Sequence, residues 1–429
     1  MTAAASSRRR RAWWLLLPVA VAAALAAVIA WLNLRGEPPL APDALGRAAA
    51  APELVERGAY LARAGNCVGC HTLAGDAPFA GGRGVETPFG TVFAPNITPD
   101  AQTGIGGWSS SEFWRALHHG RSKVGRLLYP AFPYPSFTLV TRDDSDALFA
   151  FLRSVQPVNR ANTPHALRFP YGTQAALAVW RALFFRPGEF VPQAGQGAQW
   201  NRGRYLVEGL GHCAACHSGR NILGATRVNA RFAGGLMPDE AWYAPSLANP
   251  RTAGVQEWQR DEVVMLLKNG VTPQASVAGP MAEVVYSSTQ YLGEADLAAM
   301  ARYLQSLPVQ AHEEQEFQRA SADVLRRGAK LYEDHCAACH GAQGEGVASI
   351  YPALAGNRSV TLDAPNNLIQ IIRRGGFPPS TAGNPRPFGM PPFQQILPDE
   401  DIAAVATFVR QSWGNAAAPV SAFDVHRTR

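Results

Sequence analysis

The sequence predicts an all-α fold of three tandem helical domains behind one N-terminal transmembrane helix. Three observations support this prediction. A motif of two cysteines and a histidine occurs three times, a helical pattern repeats around it, and an uncharged apolar stretch occupies residues 12–34. Apolar residues recur at helical spacing in every repeat. A chain of 429 residues is too long for one small domain, which agrees with several repeated ones.

The apolar stretch is long enough to cross a bilayer. At ~1.5 Å rise per residue, a helix over residues 12–34 spans the ~30 Å hydrocarbon core. Trp13, Trp14 and Trp31 lie at its two ends, where interfacial aromatic residues are common, and the preceding run Arg8–Arg11 predicts a cytoplasmic N-terminus. The alternative is a cleaved signal peptide, whose apolar core usually has only ~7–15 residues. We favour a retained anchor in the inner membrane, with the domains on the periplasmic side.

The charge balance gives no indication of nucleic-acid binding. The formal net charge is +6, but the arginine run supplies four of these charges and the rest of the chain carries only +2. A nucleic-acid-binding protein distributes Lys and Arg along a face or groove, interleaved with aromatic residues. Glycine (40) and proline (33) are frequent but alternate with apolar runs, which indicates loops between packed helices rather than disorder.

Each repeat has the same parts in the same order. A short amphipathic helix leads into the cysteine motif, a loop with a proline and a middle helix follow, and a closing helix with an acidic start ends in an aromatic residue. The apolar connector between the first two repeats is expected to form interdomain core rather than a membrane-surface or docking element. The predicted division of the chain is 1–35 basic N-terminus and anchor, 36–52 linker, 53–158 first domain, 159–197 connector, 198–309 second domain, 310–323 linker, 324–414 third domain and 415–429 tail.

All six cysteines belong to Cys-x-x-Cys-His motifs, so none is left for a disulfide or a separate thiol catalyst. This motif is the attachment signature of haem c. The two thiols add across the porphyrin vinyl groups, and the adjacent histidine becomes the proximal iron ligand. A thioredoxin-like dithiol needs no histidine, and a four-thiolate zinc site would strand the third pair. Three covalently bound haem c groups are therefore predicted, on Cys67, Cys70 and His71, on Cys213, Cys216 and His217, and on Cys336, Cys339 and His340.

The loop between the last two helices of each repeat is where a sixth iron ligand is expected, usually Met or His. The second repeat offers Met281 and the third offers Met390, each next to a proline. The first repeat has Phe132 at the equivalent position, and phenylalanine cannot bind iron. Its haem is therefore five-coordinate or takes another group. His118 and His119 are the first candidates and His165 in the connector is a weaker one, although the aligned residues of the other repeats make the helix end at His118 and His119 look solvated.

Two further sets of residues have predicted structural roles. Backbone carbonyls in the loop after each motif are expected to accept the ring N–H of the proximal histidine and so fix its tautomer. These carbonyls belong to Pro95, Pro245 and Pro352. Glycines in the leading helices are expected to permit close packing against the closing-helix aromatic residues. The pairs are Gly58 with Phe151, Gly203 with Tyr303, and Gly328 with Phe408.

With these motifs in order, the chain after residue 52 resembles the triheme cytochrome c subunits of membrane-bound periplasmic dehydrogenases. The resemblance is carried by residues 201–221 (NRGRYLVEGLGHCAACHSGRN), 94–108 (APNITPDAQTGIGGW) and 128–134 (LYPAFPY). Such subunits accompany alcohol, gluconate and sorbitol dehydrogenases, and also molybdenum enzymes that act on aldehydes or nicotinate.

The resemblance implies three tandem class I cytochrome c domains that transfer electrons and have no substrate chemistry of their own. It also implies a catalytic dehydrogenase subunit of molybdenum, flavin or quinoprotein type as electron donor, and ubiquinone or a terminal oxidase as acceptor. Two alternatives follow from the same residues. One is a freestanding membrane-tethered electron carrier. The other is a haem enzyme, a peroxidase or a thiosulfate-oxidising protein, that uses an open iron site in the first repeat.

Overall fold

The computed structural model describes residues 3–40, 51–238, 241–310 and 316–428, with the side chains of the first helix from residue 16 onward. The side chains of Trp13, Trp14 and Arg8–Arg11, and parts of both predicted linkers, lie outside the described residues. Trp31 is exposed near the end of the first helix, as the sequence predicts.

Helices dominate the structure and follow the predicted repeats, which we call module one (residues 52–154), module two (198–305) and module three (322–428). The first helix is α1 (Ala3–Leu34). Module one contains α2 (Pro52–Ala64), α3 (Cys67–His71), α4 (Ser110–His119), α5 (Tyr134–Phe137) and α6 (Arg142–Ser154), and α7 (Gln174–Phe184) lies in the connector. Module two contains α8 (Ala198–Arg204), α9 (Arg260–Asn269), α10 (Pro280–Ser287) and α11 (Glu294–Gln305). Module three contains α12 (Ala322–His335), α13 (Ala337–His340), α14 (Asn366–Arg374), α15 (Asp399–Arg410) and α16 (Ala422–Arg427).

In the part of the chain that the structure describes, two small antiparallel sheets lie between the helices, so the all-α prediction holds for the helical framework but not for every loop. β1 (Gly84–Thr87) pairs with β2 (Gly90–Phe93), which pairs with β3 (Ala166–Leu167), while β4 (Gly235–Leu236) pairs with β5 (Tyr243–Ala244). Gly90 makes the first sheet possible because its φ is +118° and a Cβ there would lie 2.2 Å from the Ala166 carbonyl oxygen. These strands tie the connector to module one.

In every module the leading helix crosses the closing helix at a glycine, as predicted. α2 crosses α6, α8 crosses α11 and α12 crosses α15. The space at each crossing is closed, because a Cβ on Gly58 would lie 1.9 Å from the Ala147 carbonyl oxygen and 2.7 Å from the Phe151 Cβ. The same holds for Gly203 against Ala299 and Tyr303, and for Gly328 against Ala404 and Phe408.

The leading helix of module two contains a π-helical turn over Tyr205–Leu210. Its cause is visible in the sequence, because Cys213 comes ten positions after Gly203, whereas Cys67 comes nine positions after Gly58. A one-residue insertion in an α-helix is commonly absorbed as a π-bulge. The π-helical turn thus accommodates the extra residue between the glycine and the cysteine motif of module two.

Among the described residues, the buried side chains form two cores. One is shared by modules one and two and includes Phe149, Leu206 and Leu297, and the other belongs to module three. The segment after residue 414, expected as a tail, is built into module three: Val425 of α16 is fully buried, and the Thr428 carbonyl oxygen accepts hydrogen bonds from Gln370 and Arg373.

The end of the apolar helix α1 contacts module one, because Arg121 donates a hydrogen bond to the Asn33 carbonyl oxygen. Its segment Leu16–Leu34 is long and apolar enough to cross a membrane, and nearly all of it is exposed. At its end Asn33 is buried and its Nδ2 donates a hydrogen bond to the Ala178 carbonyl oxygen in α7. The connector contributes to the interdomain core as expected, but with few residues: Leu177 of α7 and Phe185 after it are buried, and Phe190 packs against the core that modules one and two share.

Candidate haem centres

Each cysteine motif occupies a single helical turn. In modules one and two the residue before the first cysteine is left-handed, with φ 48° at Asn66 and 38° at His212. Burial raises the pKa of Cys67 and of Cys213 to about 12, and that of Cys336 to about 11. Such thiols are protonated at neutral pH, whereas catalytic redox dithiols depend on a lowered pKa.

The three motif histidines make the same hydrogen bond. Nδ1 of His71 lies 2.7 Å from the Pro95 carbonyl oxygen, and Nδ1 of His217 lies 2.7 Å from that of Pro245. Nδ1 of His340 lies 2.9 Å from the Pro352 carbonyl oxygen, so the predicted contact is confirmed in all three modules. Because a carbonyl only accepts, Nδ1 carries the proton and the lone pair is on Nε2.

Burial lowers the pKa of all three histidines, and the hydrogen bond to the carbonyl opposes it. The imidazoles are therefore neutral at pH 7, with Nε2 the nitrogen suited to bind a metal. A turn that presents two thiols and such an imidazole has the donor set that haem c requires. Within the described ranges no three side chains of His, Cys, Asp or Glu come together to hold a metal ion, so a four-thiolate zinc site is not assembled there.

The loops predicted to supply the sixth ligand share one register in modules one and two. The middle helix ends at a left-handed glycine in both, Gly120 and Gly270, whose carbonyl oxygen accepts a 2.8 Å hydrogen bond from Leu128 N or Val277 N. Phe132 comes four positions after Leu128 in module one, and Met281 comes four positions after Val277 in module two.

Both residues pack against the shared core, and Phe132 contacts the ring of Phe137 at 5.3 Å between centroids. In module three the backbone of Met390 is held by a pair of hydrogen bonds with Gly376, of 2.8 and 3.0 Å, and its side chain packs against the module core. The structure therefore supports the sequence alignment that sets Phe132 where module two has a methionine.

His118 and His119 are buried, so the expectation of a solvated helix end is wrong for module one. His118 lines an open cavity of about 430 Å³ together with Glu37, Trp114 and Glu189, and His119 faces a smaller one bounded by residues 38–40. The His118 and Trp114 rings are stacked at 4.2 Å. Both histidines thus line cavities next to the segment that follows α1.

Charged groups surround this histidine pair. Glu37 forms an ion pair with Arg121 at 2.6 Å, and Arg181, which is only 3 % exposed, donates a hydrogen bond to the His119 carbonyl oxygen. Burial, His118 and the nearby arginines lower the pKa of His119 to about 3, and burial also lowers the pKa of His118. Both imidazoles are neutral at pH 7, and Nδ1 of each is buried without a hydrogen-bond partner.

A reciprocal set of hydrogen bonds, which sequence reasoning missed, joins modules one and two. The Tyr60 hydroxyl donates to Asp296 in α11 at 2.7 Å, and the Tyr205 hydroxyl donates to Asp144 in α6 at 2.6 Å. These residues hold equivalent places in the two repeats, so each leading helix is bonded to the first turn of the closing helix of the other module. Within its own module Asp144 pairs with Arg57 and Asp296 with Arg202.

The same interface joins the first cysteine motif to α10 of module two. Arg83 donates a hydrogen bond to the Gly69 carbonyl oxygen inside the first motif and pairs with Glu283 in α10, the helix that carries Met281. Burial raises the pKa of Cys70, and the charges of Glu283 and Cys216 raise it further while Arg83 lowers it. The first cysteine motif is thus joined to module two through Arg83 and Glu283.

Module three contacts module two without sharing a core with it. Arg358 Nη1 donates to the carbonyl oxygens of Pro250 at 2.5 Å and Gly254 at 3.0 Å, and its guanidinium lies over the Trp258 ring. The Asn367 side chain exchanges hydrogen bonds with the Tyr243 backbone. These contacts use the segments of module two that precede α9, and not its leading helix.

Comparison with known proteins agrees with this geometry. The family model for cytochrome c matches residues 55–156 and 325–413, which are modules one and three. Module two is not part of that match, yet it has the same cysteine motif and the same histidine–carbonyl hydrogen bond.

Several relatives match nearly the whole chain. The gluconate 2-dehydrogenase cytochrome c subunit of Pantoea cypripedii is 40 % identical over 394 residues, which cover 88 % of this chain and 89 % of the relative. The cytochrome c subunit of the quinone-type alcohol dehydrogenase of Gluconacetobacter polyoxogenes is 38 % identical over 393 residues, 88 % of this chain and 84 % of the relative. One of the nicotinate dehydrogenase subunits of Pseudomonas putida is 39 % identical over 399 residues, 90 % of this chain but 32 % of that longer protein.

Proposed function

The chain belongs to the family of dehydrogenase cytochrome c subunits, and we propose that it carries three haem c groups, one in each of three class I cytochrome c domains. The observation that carries this proposal is the hydrogen bond from the motif histidine to a proline carbonyl, which is the same in all three modules. The residues that hold the haems are the cysteines and histidines of the three motifs. Each bound haem supplies reversible one-electron chemistry.

The count of three is tested by measuring haem per chain in the purified protein. Replacing Cys213 and Cys216 by Ala should lower the ratio from three to two, because thioether attachment in module two needs both thiols. The matched replacement of Cys336 and Cys339 in module three should give the same loss. A ratio of two in the unmodified protein, unchanged by the module two replacement, would contradict the proposal.

We propose that electrons enter from a catalytic dehydrogenase subunit and pass between the modules to an acceptor at the membrane. The named relatives are subunits of alcohol, gluconate and nicotinate dehydrogenases, which supports the donor. The contacts of Arg83 with the Gly69 carbonyl oxygen and with Glu283 of α10 support transfer between modules one and two, because they hold the first cysteine motif against module two. The large subunit that purifies with the detergent-extracted protein identifies the donor, and a chain that purifies alone is a freestanding carrier.

The haem of module one is proposed to have no thioether ligand, whereas Met281 and Met390 bind iron in modules two and three. The shared loop register, with Phe132 in place of Met281, supports this difference. A thioether ligand raises the potential of a haem, so module one should have the lowest of the three. Phe132→Met should add a methionine–iron charge-transfer absorption and raise one potential, while Met281→Leu should remove one such absorption. Three methionine-type signals in the unmodified protein would refute the assignment.

We propose that α1 stays attached as a membrane anchor, with a cytoplasmic N-terminus and the modules in the periplasm. Retention is supported by the contacts that build its end into module one, the Asn33 hydrogen bond to α7 and the largely buried pair of Glu37 with Arg121. The orientation rests on the arginine run Arg8–Arg11. Intact-mass measurement should find the N-terminal residues, and protease added to spheroplasts should cleave the modules but spare a tag placed before Arg8.

We propose a membrane quinone as the acceptor. The open cavity beside the end of α1 offers an aromatic ring, Trp114, and a neutral imidazole, His118, next to Glu37. Such a mixture of apolar walls and a few polar groups suits a small aromatic ligand. In nanodiscs, Trp114→Leu should slow reoxidation of the reduced protein by a short-chain ubiquinone but not by a small inorganic oxidant. Equal rates with ubiquinone in both forms would favour a terminal oxidase instead.

A further inference from the structure

The polarity of the connector helix α7 is inverted. Its one charged residue, Arg181, is 3 % exposed and donates its hydrogen bond inward to the His119 carbonyl oxygen. Its outward stripe is apolar, with Val179 and Leu183 spaced four residues apart and Phe184 beside them, all exposed. Helices on the surface of a water-soluble domain show the opposite arrangement, with charged residues outward. The outer face of α7 is therefore made for an apolar environment.

The apolar surface continues beyond the helix. The Trp180 indole N–H donates to the Leu223 carbonyl oxygen at 2.9 Å, which brings the loop of Ile222 and Leu223 against α7. A Cβ on Gly224 in the same loop would meet the Phe89 ring, which packs on Tyr171 at 4.5 Å between centroids, and Phe169 lies two positions before Tyr171 in the chain. We call this surface the α7 apolar face: Phe169, Val179, Leu183, Phe184, Ile222 and Leu223, all exposed. Contiguous exposed apolar surfaces mark interaction sites.

The position of α7 indicates what covers this face. Asn33, one residue before the end of the apolar span, bonds to the middle of α7, so the helix lies across the last turn of α1. If α1 spans the bilayer, its last turn lies at the boundary between acyl chains and headgroups, and α7 lies at that depth beside it. Arg168 precedes α7 and Arg186 follows it, and both are exposed, which suits contact with anionic headgroups.

We propose that the α7 apolar face is a second membrane contact, which lies in the interface of the bilayer and holds module one against it. This inference rests on the proposed membrane anchor. A single transmembrane helix would leave α1 and the modules free to tilt together in the bilayer. A second contact through α7 fixes their orientation, and it keeps the cavity beside Glu37 and His118 at the membrane surface.

The test uses the full-length protein in nanodiscs that contain anionic lipid, with a benzophenone amino acid placed at one position at a time. Leu183, 60 % exposed, tests the proposal, and Leu25 in α1, 58 % exposed, tests the anchor. Ile396 in module three, 64 % exposed, is the matched control. All three positions are exposed, so the substitution leaves the cores intact. After illumination, lipid adducts are measured by mass spectrometry.

The expected result is lipid adduct at Leu25 and Leu183, with at least about tenfold more at Leu183 than at Ile396, because an interfacial helix is immersed in the headgroup and acyl boundary. Adduct at Leu25 with none above the Ile396 level at Leu183 overturns the α7 contact and leaves the anchor standing. No lipid adduct at Leu25 refutes the anchor and the α7 contact with it. In the complex with the catalytic subunit, a peptide adduct at Leu183 would assign the face to a protein and overturn the proposal.

Discussion

Modules one and three share a helical repeat but use the outer surface of the leading helix differently. In module one Tyr60 donates its hydroxyl to Asp296 of the neighbouring module, and Tyr205 returns the contact to Asp144. The equivalent residue in module three is Lys330, which pairs with Asp334 of its own helix at the surface. All three modules keep the internal arginine–aspartate pair between leading and closing helix, which in module three joins Arg327 to Asp401.

This difference shows how one repeat gives two kinds of assembly. The arginine–aspartate pair belongs to the fold of each module, whereas the tyrosine belongs to the pairing of modules one and two. Because a single core also runs through both, these two modules should unfold as one unit. Module three has its own core and should unfold separately.

The largest effect is expected from filling the helix crossings. Gly58→Ala puts a Cβ against the Ala147 backbone and should destabilise modules one and two together by about 3 kcal/mol, because neither helix can move without disturbing the shared core. Gly328→Ala should lower only the transition of module three. Calorimetry of the haem-loaded protein separates the two transitions. Gly188→Ala, where a Cβ meets no atom within 4 Å, is the control. If Gly58→Ala leaves module two at its original melting temperature, the shared unit is refuted.

The sequence predicted these crossings well because they rest on local signals. The glycine of each leading helix and the aromatic residue of each closing helix recur with the motif, and so do the prolines whose carbonyls meet the histidines. The pairing of Tyr60 with Asp296 joins residues 236 positions apart, and nothing local distinguishes such a tyrosine from an ordinary core residue. The available signal was the lysine, Lys330, at the equivalent position of module three, which is the module that lacks this contact.

The burial of His118 and His119 was missed for a related reason. Alignment with Lys268 and Arg373 suggested a solvated helix end, but the segment after α1 and the connector cover this end in module one. Both covering segments lie outside the repeat, so comparison of the repeats carries no information about them. The short sheet of β1, β2 and β3 escaped for the same reason, because its third strand is contributed by the connector.

A smaller effect is expected when the reciprocal contact is removed. Tyr60→Phe and Tyr205→Phe should each lower the free energy of unfolding of the paired modules by about 1–2 kcal/mol, since a hydrogen bond to a carboxylate is lost. Without the Tyr205 hydroxyl, Asp144, which is 3 % exposed, loses one hydrogen-bond donor but keeps its ion pair with Arg57. Denaturant unfolding monitored on the haem absorption measures the loss. Lys330→Met, the matched change in module three, should leave unfolding unaltered, and a loss equal to that of Tyr60→Phe would show that the tyrosine contact is not specific to pairing.

The same contact should make the paired modules sensitive to alkali. Burial, together with the hydrogen bond to Asp296, raises the pKa of Tyr60 to about 12. An unfolded tyrosine loses its proton near about pH 10, so between about pH 10 and 12 the unfolded chain has released a proton that the folded chain keeps. Stability supplied by this group is complete below about pH 10 and falls as the pH rises towards 12.

Unfolding measured across that range should show a shallower decline for Tyr60→Phe than for the unmodified protein. Tyr286→Phe is the control, because Tyr286 is an exposed tyrosine of α10. Tyr134, Tyr205 and Tyr303, whose pKa values burial also raises, contribute to the part of the decline that Tyr60→Phe leaves. An unchanged slope in the Tyr60→Phe protein would mean that this hydroxyl does not titrate with unfolding.

The smallest effect concerns the junction between the two kinds of assembly. Arg358→Met keeps the length of the side chain but removes both hydrogen bonds to the Pro250 and Gly254 carbonyl oxygens, so module three should dock less tightly while its own core is untouched. Hydrogen exchange at Thr252 and Gly254, whose amides bond to Asn249 in this loop, should become faster. The melting temperature of module three should stay constant. Arg386→Met, an exposed arginine of the same module, is the control. Unchanged exchange in the Arg358 variant would place the docking free energy in the other contacts between the modules, which join Asn367 to Tyr243 and Thr381 to Asn269.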